Sequence, residues 1–424
     1  MKNNLFKGLK KLGRMAGPGV ITGAADDDPS GILTYLQAGF SYGFKILWLA
    51  FLTLPFMIAI QEMSGRIGYV SGKGLVRLIK NHYAKWFLYL VVAASVVVII
   101  INIGADLLAM GVVMEGLLPM SKIFWIPFVA AMILIFTIFL SYPKFASVLK
   151  WLSLSLLFYV AASIYTRINF WEAAKATLTP TIVFNKNFLY IAAAFFGTTV
   201  SPYLFFWQAN EEIEEREKIK RDGNFKKFFA TKGKLKSLKH DTFIGMIFSN
   251  IITWFIVVAA ANLVAVEGYK NIADFKAAAS VLRPLLGRWA FLAFGVGIIG
   301  TGLLVVPVLA GAVGYMLAEV FNWSEGMNKT FKEAKSFYGA IILATLIGVL
   351  MAVLNLNPVG MLIYTAVLYS LITPPITYAI VRMANNKKIV GNKTSSGLIN
   401  FLGWATFAFS ILVAGLYILT LFHF

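Results

Sequence analysis

The chain has no cysteine, which excludes disulfides, thiolate metal ligands, iron–sulfur clusters and thiol nucleophiles together. Histidine is nearly as scarce: His82, His240 and His423 fall in loops or at the terminus, where a solvated side chain is expected, and none is assigned a role. Neither an enzymatic centre nor a resident cofactor is expected from such a composition. The nearest approach to a phosphate loop, Gly68 to Gly74, has the wrong spacing and Gly74 where Ser or Thr is required, which removes ATP-driven pumping. Any metal bound here meets oxygen, nitrogen or methionine sulfur. Charge is also thin, at 13% of the 424 residues against 59% apolar, with a mean hydropathy of +0.77. That is far more apolar surface than one soluble core buries, so the chain must dissolve in lipid.

Apolar stretches long enough to cross roughly 30 Å of hydrocarbon recur along the chain. They predict an all-α membrane protein of about eleven spans, at 19–42, 45–66, 86–116, 122–141, 146–166, 187–210, 241–266, 287–320, 336–356, 358–382 and 397–422. The first stretch continues past an acidic break without a small-residue cleavage pattern, so it is expected to be a retained span.

The formal charge of +19 invites a nucleic-acid reading, but the positions of the bases argue against that partner. About 29 of the 38 Lys and Arg fall in the N-terminal tail and alternate loops, among them Lys7, Lys10, Lys11, Arg14, Arg66, Arg77, Arg382 and Lys387. The distribution predicts an inner-membrane protein with a cytoplasmic N-terminal tail (1–18) and, with an odd number of spans, an external C-terminus.

Residues 211–240 begin with Glu211, Glu212, Glu214, Glu215 and Glu217 and turn Lys-rich, reading as a solvated cytoplasmic linker with helical extensions. It separates a first group of five spans (19–166) from a second (187–382, linker included), with 397–424 as an eleventh. The first span of each group carries a helix-breaking sequence, GAADDDPSG around Pro29 and GTTVSPY around Pro202. Single prolines such as Pro307 or Pro374 need mean no more than a kink. A matched pair in corresponding spans points to two discontinuous helices around a binding site, the arrangement of inverted-repeat transporters.

The first break contains Asp26, Asp27 and Asp28. Each ionised carboxylate within a span costs a few kcal/mol, so at least one is expected to face a cation. Asp106 in INIGADLLAM is the other intramembrane acid. It is expected to line the same aqueous path, with a structural role, bonding to the broken helix through Asn102 or backbone amides, as competitor. Glu62 and Arg66 read as a gate or a helix-end ion pair. The glycines of 295–302 and 311–314 read as close helix packing, and Tyr203, Phe205, Phe206 and Trp207 as packing or interfacial anchors.

These residues resemble the Nramp family of divalent-metal transporters, whose first helix carries GPG, eight residues, then DPGN, and whose sixth carries MPH. Here Gly17-Pro18-Gly19 is followed by eight residues and Asp28-Pro29-Ser30-Gly31; LQAG at Leu36 to Gly39, Arg66-Ile67-Gly68, Ser71-Gly72 and Asp106-Leu107 also match. The resemblance covers nearly the whole chain and implies two inverted five-helix repeats, broken helices 1 and 6, and a metal substrate, with Asp28 as principal ligand.

The departures narrow that substrate. Gly31 stands where the family has Asn, and Ser201 where it has Met. Loss of a soft thioether weakens the preference for transition ions, and Asp28, the Ser201 hydroxyl, carbonyls near Thr198 and the space at Ser30 and Gly31 suit a hard, largely hydrated ion. Tyr203 replaces the sixth-helix His, Ala109 replaces a third-helix Glu, and the ninth span has no buried base, so the family's proton pathway is incomplete. These changes resemble the Nramp-related magnesium branch. The expectation is import of Mg2+ and probably of Mn2+ too, by alternating access without obligatory proton coupling, with Asp26, Asp27 and Asp106 drawing cations along the approach. A membrane potential of 100 mV, worth about 4.6 kcal/mol for a divalent ion, supplies a driving force. The competing readings are a proton-coupled Mn2+ or Fe2+ importer, a sodium-coupled small-solute transporter, and a metal-sensing membrane protein.

Overall fold

The computed structural model describes residues 17–139, 153–166, 168–221, 232–267, 272, 274–354 and 356–423, and all regular structure among them is helical. The first span is two helices. α1 (Pro18–Asp26) stops short of Pro29, and α2 (Pro29–Tyr42) opens with that proline at its first position, where the missing N–H would have had no intrahelical partner. A 3-10 turn at Gly43–Ile46 leads into α3 (Leu47–Ser71), followed by the short α4 (Leu75–His82), then α5 (Lys85–Leu117) and α6 (Lys122–Phe139). The start of the fifth expected span lies outside the described residues; its visible part is a 3-10 turn at Ser153–Leu156 and α7 (Leu157–Tyr165), followed by α8 (Phe170–Leu178).

The second break repeats the first. α9 (Lys186–Thr199) ends before Ser201, and α10 (Pro202–Arg221) begins on its proline. α11 (Lys232–Glu267), α12 (Ala290–Phe321), α13 (Lys335–Val353), α14 (Pro358–Ala384) and α15 (Gly397–His423) complete the bundle. Helix continues through Pro307 in α12 and Pro374 in α14. Among the described residues, nine helical runs are long and apolar enough to cross a membrane; one of them, Pro29–Ser71, joins two expected spans. Trp86, Tyr89, Leu90 and Val97 on α5 and Ile411, Leu412, Ile418 and Leu419 on α15 are exposed, an apolar surface that lipid would cover.

The half-helices are held by close backbone crossings. A Cβ at Gly23 of α1 would strike the backbone of Gly245 in α11, and one at Gly197 of α9 would strike Ala366 and Ser370 of α14, so each half-helix lies against a continuous one at a distance only glycine permits. The glycines of α12 pack as expected: Gly295 meets Val113 and Leu117, Gly302 meets Met110 and Gly314 meets Phe337.

Two expectations need correction. Residues 211–240 are not a solvated linker throughout. α10 runs unbroken to Arg221 with Glu212 and Glu214 buried, because the bundle supplies donors to their carboxylates; residues 222–231 lie outside the described set. His240 and His82, though exposed, sit on α11 and at the last position of α4 and not in loops.

Candidate metal site at the two helix breaks

The two breaks share one backbone shape. Asp27, just past α1, has φ −85° and ψ 57°, and Val200, just past α9, has φ −110° and ψ 62°. Each is followed by a polar residue and a proline, so Asp28 and Ser201 occupy equivalent positions. The carbonyl ends of α1 and α9 and the N–H ends of α2 and α10 therefore meet inside the bundle, supplying backbone acceptors and donors where lipid supplies neither.

Asp28 caps α2. Its Oδ1 accepts the Gly31 N–H at 2.5 Å, and its Oδ2 accepts from Asn102 Nδ2 at 3.3 Å. The same amide nitrogen donates to Asp106 Oδ2 at 2.7 Å, so Asn102 bridges the two carboxylates across α2 and α5, and the Ser30 backbone N–H faces Asp106. A Cβ added at Gly31 would lie 3.2 Å from Asp28 Oδ1 and 3.3 Å from Thr198 Oγ1, which brings Asp28, Gly31 and Thr198 around one point. Ser201 closes the second break: its hydroxyl lies 2.5 Å from the Thr198 carbonyl, its acceptor, and 3.2 Å from that of Gly197. Ser30 points elsewhere, donating to the Leu362 carbonyl of α14 at 2.9 Å.

Tyr203 reaches across from α10 to donate to the Ala25 carbonyl at the end of α1, 2.9 Å away. Its ring centroid lies 5.6 Å from that of Tyr369, whose buried hydroxyl has no partner. Sequence reasoning missed Tyr369, together with Tyr35 and Thr199, whose hydroxyls meet at 3.0 Å between α2 and α9.

The aspartate triple divides. Asp28 turns to α5, whereas Asp26 and Asp27 turn to α11, where the Ser249 hydroxyl lies 2.7 Å from Asp26 Oδ2 and 3.3 Å from Asp27 Oδ1. Asp26, Asp27 and Asp106 are fully buried, and Asp28, Thr198 and Ser201 are 2% exposed, so the site is shut off in this conformation. Among the described residues no Lys or Arg is buried, and the four carboxylates take part in no ion pair. No three His, Cys, Asp or Glu side chains of the described residues converge as a metal cage. An ion at Asp28 would thus take most of its ligands from hydroxyls, carbonyls and water.

The bundle end that carries the start of α1 is closed by polar contacts. Asp241 of α11 accepts from the Gly17 and Gly19 N–H groups at 3.0 and 2.7 Å. Thr22 bonds Gln208, which donates to Glu212 at 3.2 Å. Glu214 accepts from the Tyr315 hydroxyl, from the Met327 N–H at 2.5 Å and from Asn328. The expected Glu62–Arg66 pair forms within α3, and Arg66 also donates to the Lys393 carbonyl at 3.2 Å, so it ties a helix end to a loop.

A family model described as natural resistance-associated macrophage protein-like, Nramp, matches residues 19–420. The chain belongs to the Nramp family. It is 23% identical over 413 residues to a protein named divalent metal cation transporter MntH from Klebsiella pneumoniae subsp. pneumoniae, covering 95% of this chain and 92% of that one. Its fold matches a manganese transporter of Eremococcus coleocola with a TM-score of 0.75 at 12% identity, over 97% of this chain and 87% of the other. MhsT, solved with L-phenylalanine, shares the fold at a TM-score of 0.63 and 14% identity, over 95% and 98% of the two chains. The chain is a multi-pass membrane protein of the broken-helix, inverted-repeat transporter fold. Within the Nramp pattern, the substituted positions Gly31, Ser201, Tyr203 and Ala109 all lie in the buried interior.

Proposed function

We propose that this Nramp protein imports hard divalent cations, Mg2+ and also Mn2+, by alternating access and without obligatory proton coupling. The carrying observation is that four buried carboxylates surround the helix breaks with no buried Lys or Arg among the described residues to neutralise them. Uncompensated charge at that depth is strongly unfavourable, so whenever these acids ionise a cation arriving at the site gains by supplying the balance. Asp28 is the main ligand, with Thr198 and Ser201 offering hydroxyl and carbonyl oxygens directly or through water and Gly31 leaving room for retained waters. One carboxylate with neutral oxygens suits Mg2+, which gives up its water reluctantly. Asp26, Asp27 and Asp106 add negative potential along the approach. Tyr203 hydrogen-bonds a carbonyl where the family pattern has a titrating His, and Ala109 stands in place of an acid, which supports uncoupled movement driven by the membrane potential. The positive-inside distribution supports a cytoplasmic N-terminus and an external C-terminus.

A second reading is a proton-coupled Mn2+ or Fe2+ importer; manganese, though not proton coupling, is in the name of one relative. Uptake into proteoliposomes decides between them, with internal indicators for Mg2+, Mn2+ and Ca2+ and a pH dye. The expected outcome is Mg2+ entry without proton flux, abolished by Asp28→Ala. Entry of Mn2+ alone, accompanied by protons, would establish the second reading.

A further inference from the structure

We infer that an anionic phospholipid seats its headgroup in a basic cavity at the start of α12, lined by Lys276, Arg283 and Arg288, and lays its acyl chains along the neighbouring face of that helix. The site lies outside the ion path and does not depend on which cation is carried. Between α11 and α12 the chain folds into short helical turns, Phe275–Ala279, Ser280–Leu282, Arg283–Leu286 and Gly287–Trp289. Gly287 has φ +54°, a turn that glycine makes without strain, and Arg283 and Arg288 on either side of it border the same space as Lys276. That space is a cavity of about 800 Å3, with Ser280 and Phe291 also in its wall. Among the described residues none of the three bases forms an ion pair. Asp274, the acid nearest in sequence, has its carboxylate at the Ala277 N–H, 2.8 Å away. Three like charges around one hollow repel one another, and an anion placed there is attracted by all three.

Two further observations identify the anion as a lipid. Trp289 is 56% exposed with the Arg288 guanidinium 5.1 Å from its ring centroid, and Leu292 and Val296, 43% and 39% exposed, follow on the same face of α12. An exposed tryptophan that opens an apolar stripe marks a helix passing from the headgroup layer into hydrocarbon. A soluble anion would cover only the bases, whereas a phospholipid covers the stripe as well. The cavity also sits at headgroup level: α12 has 32 residues, a length of about 48 Å, and its far end reaches the closed end of the bundle, where Glu319 accepts the Arg77 N–H at 2.7 Å.

The site has a route to the transport path. Ile272, four residues before Lys276, donates its N–H to Gln37 Oε1 of α2 at 3.1 Å. α2 is the half-helix that Asp28 caps, so a headgroup that holds this connection in place also steadies its contact with α2.

The test is native mass spectrometry of the purified full-length protein titrated with phosphatidylglycerol or phosphatidylcholine, with amide hydrogen exchange on the same samples. Wild type is expected to hold its tightest phosphatidylglycerol at least about tenfold more firmly than phosphatidylcholine, and K276Q/R283Q/R288Q to weaken it about 100-fold, near tenfold or less per base. Exchange over residues 274–289 should slow with phosphatidylglycerol in wild type alone. K73Q/K387Q/K388Q, which removes three exposed bases from the other end of the bundle, should stay within about threefold of wild type. Equal retention of the two lipids by wild type, or equal losses in the two triple variants, would overturn the inference. Displacement of the lipid by glycerol 3-phosphate at matching concentration would also overturn it, assigning the cavity to a soluble anion. Unchanged exchange over 274–289 in wild type would do so without reliance on any variant, and none of these outcomes touches the proposed transport reading.

Discussion

Gly31→Ala is the smallest perturbation that tests whether the site holds a hydrated ion. The glycine has no positive φ, so alanine fits the backbone and the effect comes from one methyl group. That methyl would sit 3.2 Å from Asp28 Oδ1, 3.3 Å from Thr198 Oγ1 and 3.3 Å from the Tyr35 ring. These separations are a few tenths of an ångström too short for comfortable contact. Each neighbour must yield: Asp28 is tied to the Gly31 N–H and to Asn102, and Tyr35 to Thr199. Overpacking of this kind costs about 1–3 kcal/mol. The methyl also takes space in which water would sit between Asp28 and Thr198.

If the whole cost falls on the ion-bound state, apparent affinity drops about 5- to 150-fold, at 1.4 kcal/mol per factor of ten. Mg2+, which gives up water reluctantly, should suffer the full loss, and Mn2+ several-fold less. The assay is concentration-dependent uptake of each ion into proteoliposomes, with thermal unfolding of the same preparations as control. An equal loss for Mg2+ and Mn2+ that tracks a lowered melting temperature would show that the methyl merely strains the fold. Unchanged KM for both ions would refute the placement of the ion beside Gly31.

Ser201→Met restores a thioether at the second break and should shift competitive uptake toward Mn2+ by about tenfold or more, read with both ions present. Asn102→Leu removes the amide that bridges Asp28 and Asp106; loss of hydrogen bonds to charged groups, about 1.5–3 kcal/mol each, should raise the KM for Mg2+ at least tenfold, and a KM within twofold of wild type would take Asp106 off the ion path. Glu214→Ala leaves the Tyr315 hydroxyl and the Met327 N–H without their acceptor, at about 1–3 kcal/mol for each buried group, and should loosen the closed end of the bundle. Because the chain has no native cysteine, Ala209→Cys, buried where α10 crosses Gly68, reports this cleanly: thiol labelling should accelerate about tenfold or more in the Glu214→Ala background.

The breaks were legible in the sequence because proline acts locally. Pro29 and Pro202 each open a new half-helix at the expected break, while Pro307 and Pro374 sit within continuous helices, as the kink reading allowed. Asp28 and Thr198 come together as expected, and the Asn102 bridge, anticipated as the competing role for Asp106, is present alongside the shared burial of both acids. The direction of each aspartate was not legible. Adjacency in sequence says nothing about which neighbour a side chain meets once the helix has unwound, and so Asp26 and Asp27 facing Ser249 came only from the packing of α11. A clue existed: Ser249 and Thr253, four apart in a stretch whose other polar residue is Asn250, mark one polar face. Glu212 and Glu214 misled in the opposite way. A dense run of acids reads as solvated, yet donors from Gln208, Tyr315 and residues 327–328 receive both, and those donors are distant or unremarkable in sequence.

The two breaks are alike in backbone and unlike in side chain, and that inequality bears on the energy source. At the equivalent positions before each proline stand Asp28 and Ser201, one charged and one neutral. The family pattern has a thioether and a histidine near that pair; what lies there instead is a hydroxyl, a tyrosine bonded to the Ala25 carbonyl, and an alanine. The carboxylates nearest the two breaks all belong to the first break and to Asp106, facing two sides of the bundle. On the proposed reading, a cation arriving at such a site would gain Coulomb energy from several carboxylates but direct coordination from only one, and so would keep most of its water and be held loosely enough to leave. On the same reading, the second break offers no group to exchange a proton for the metal, and net inward movement would fall to the membrane potential, which acts on the full double charge of the ion.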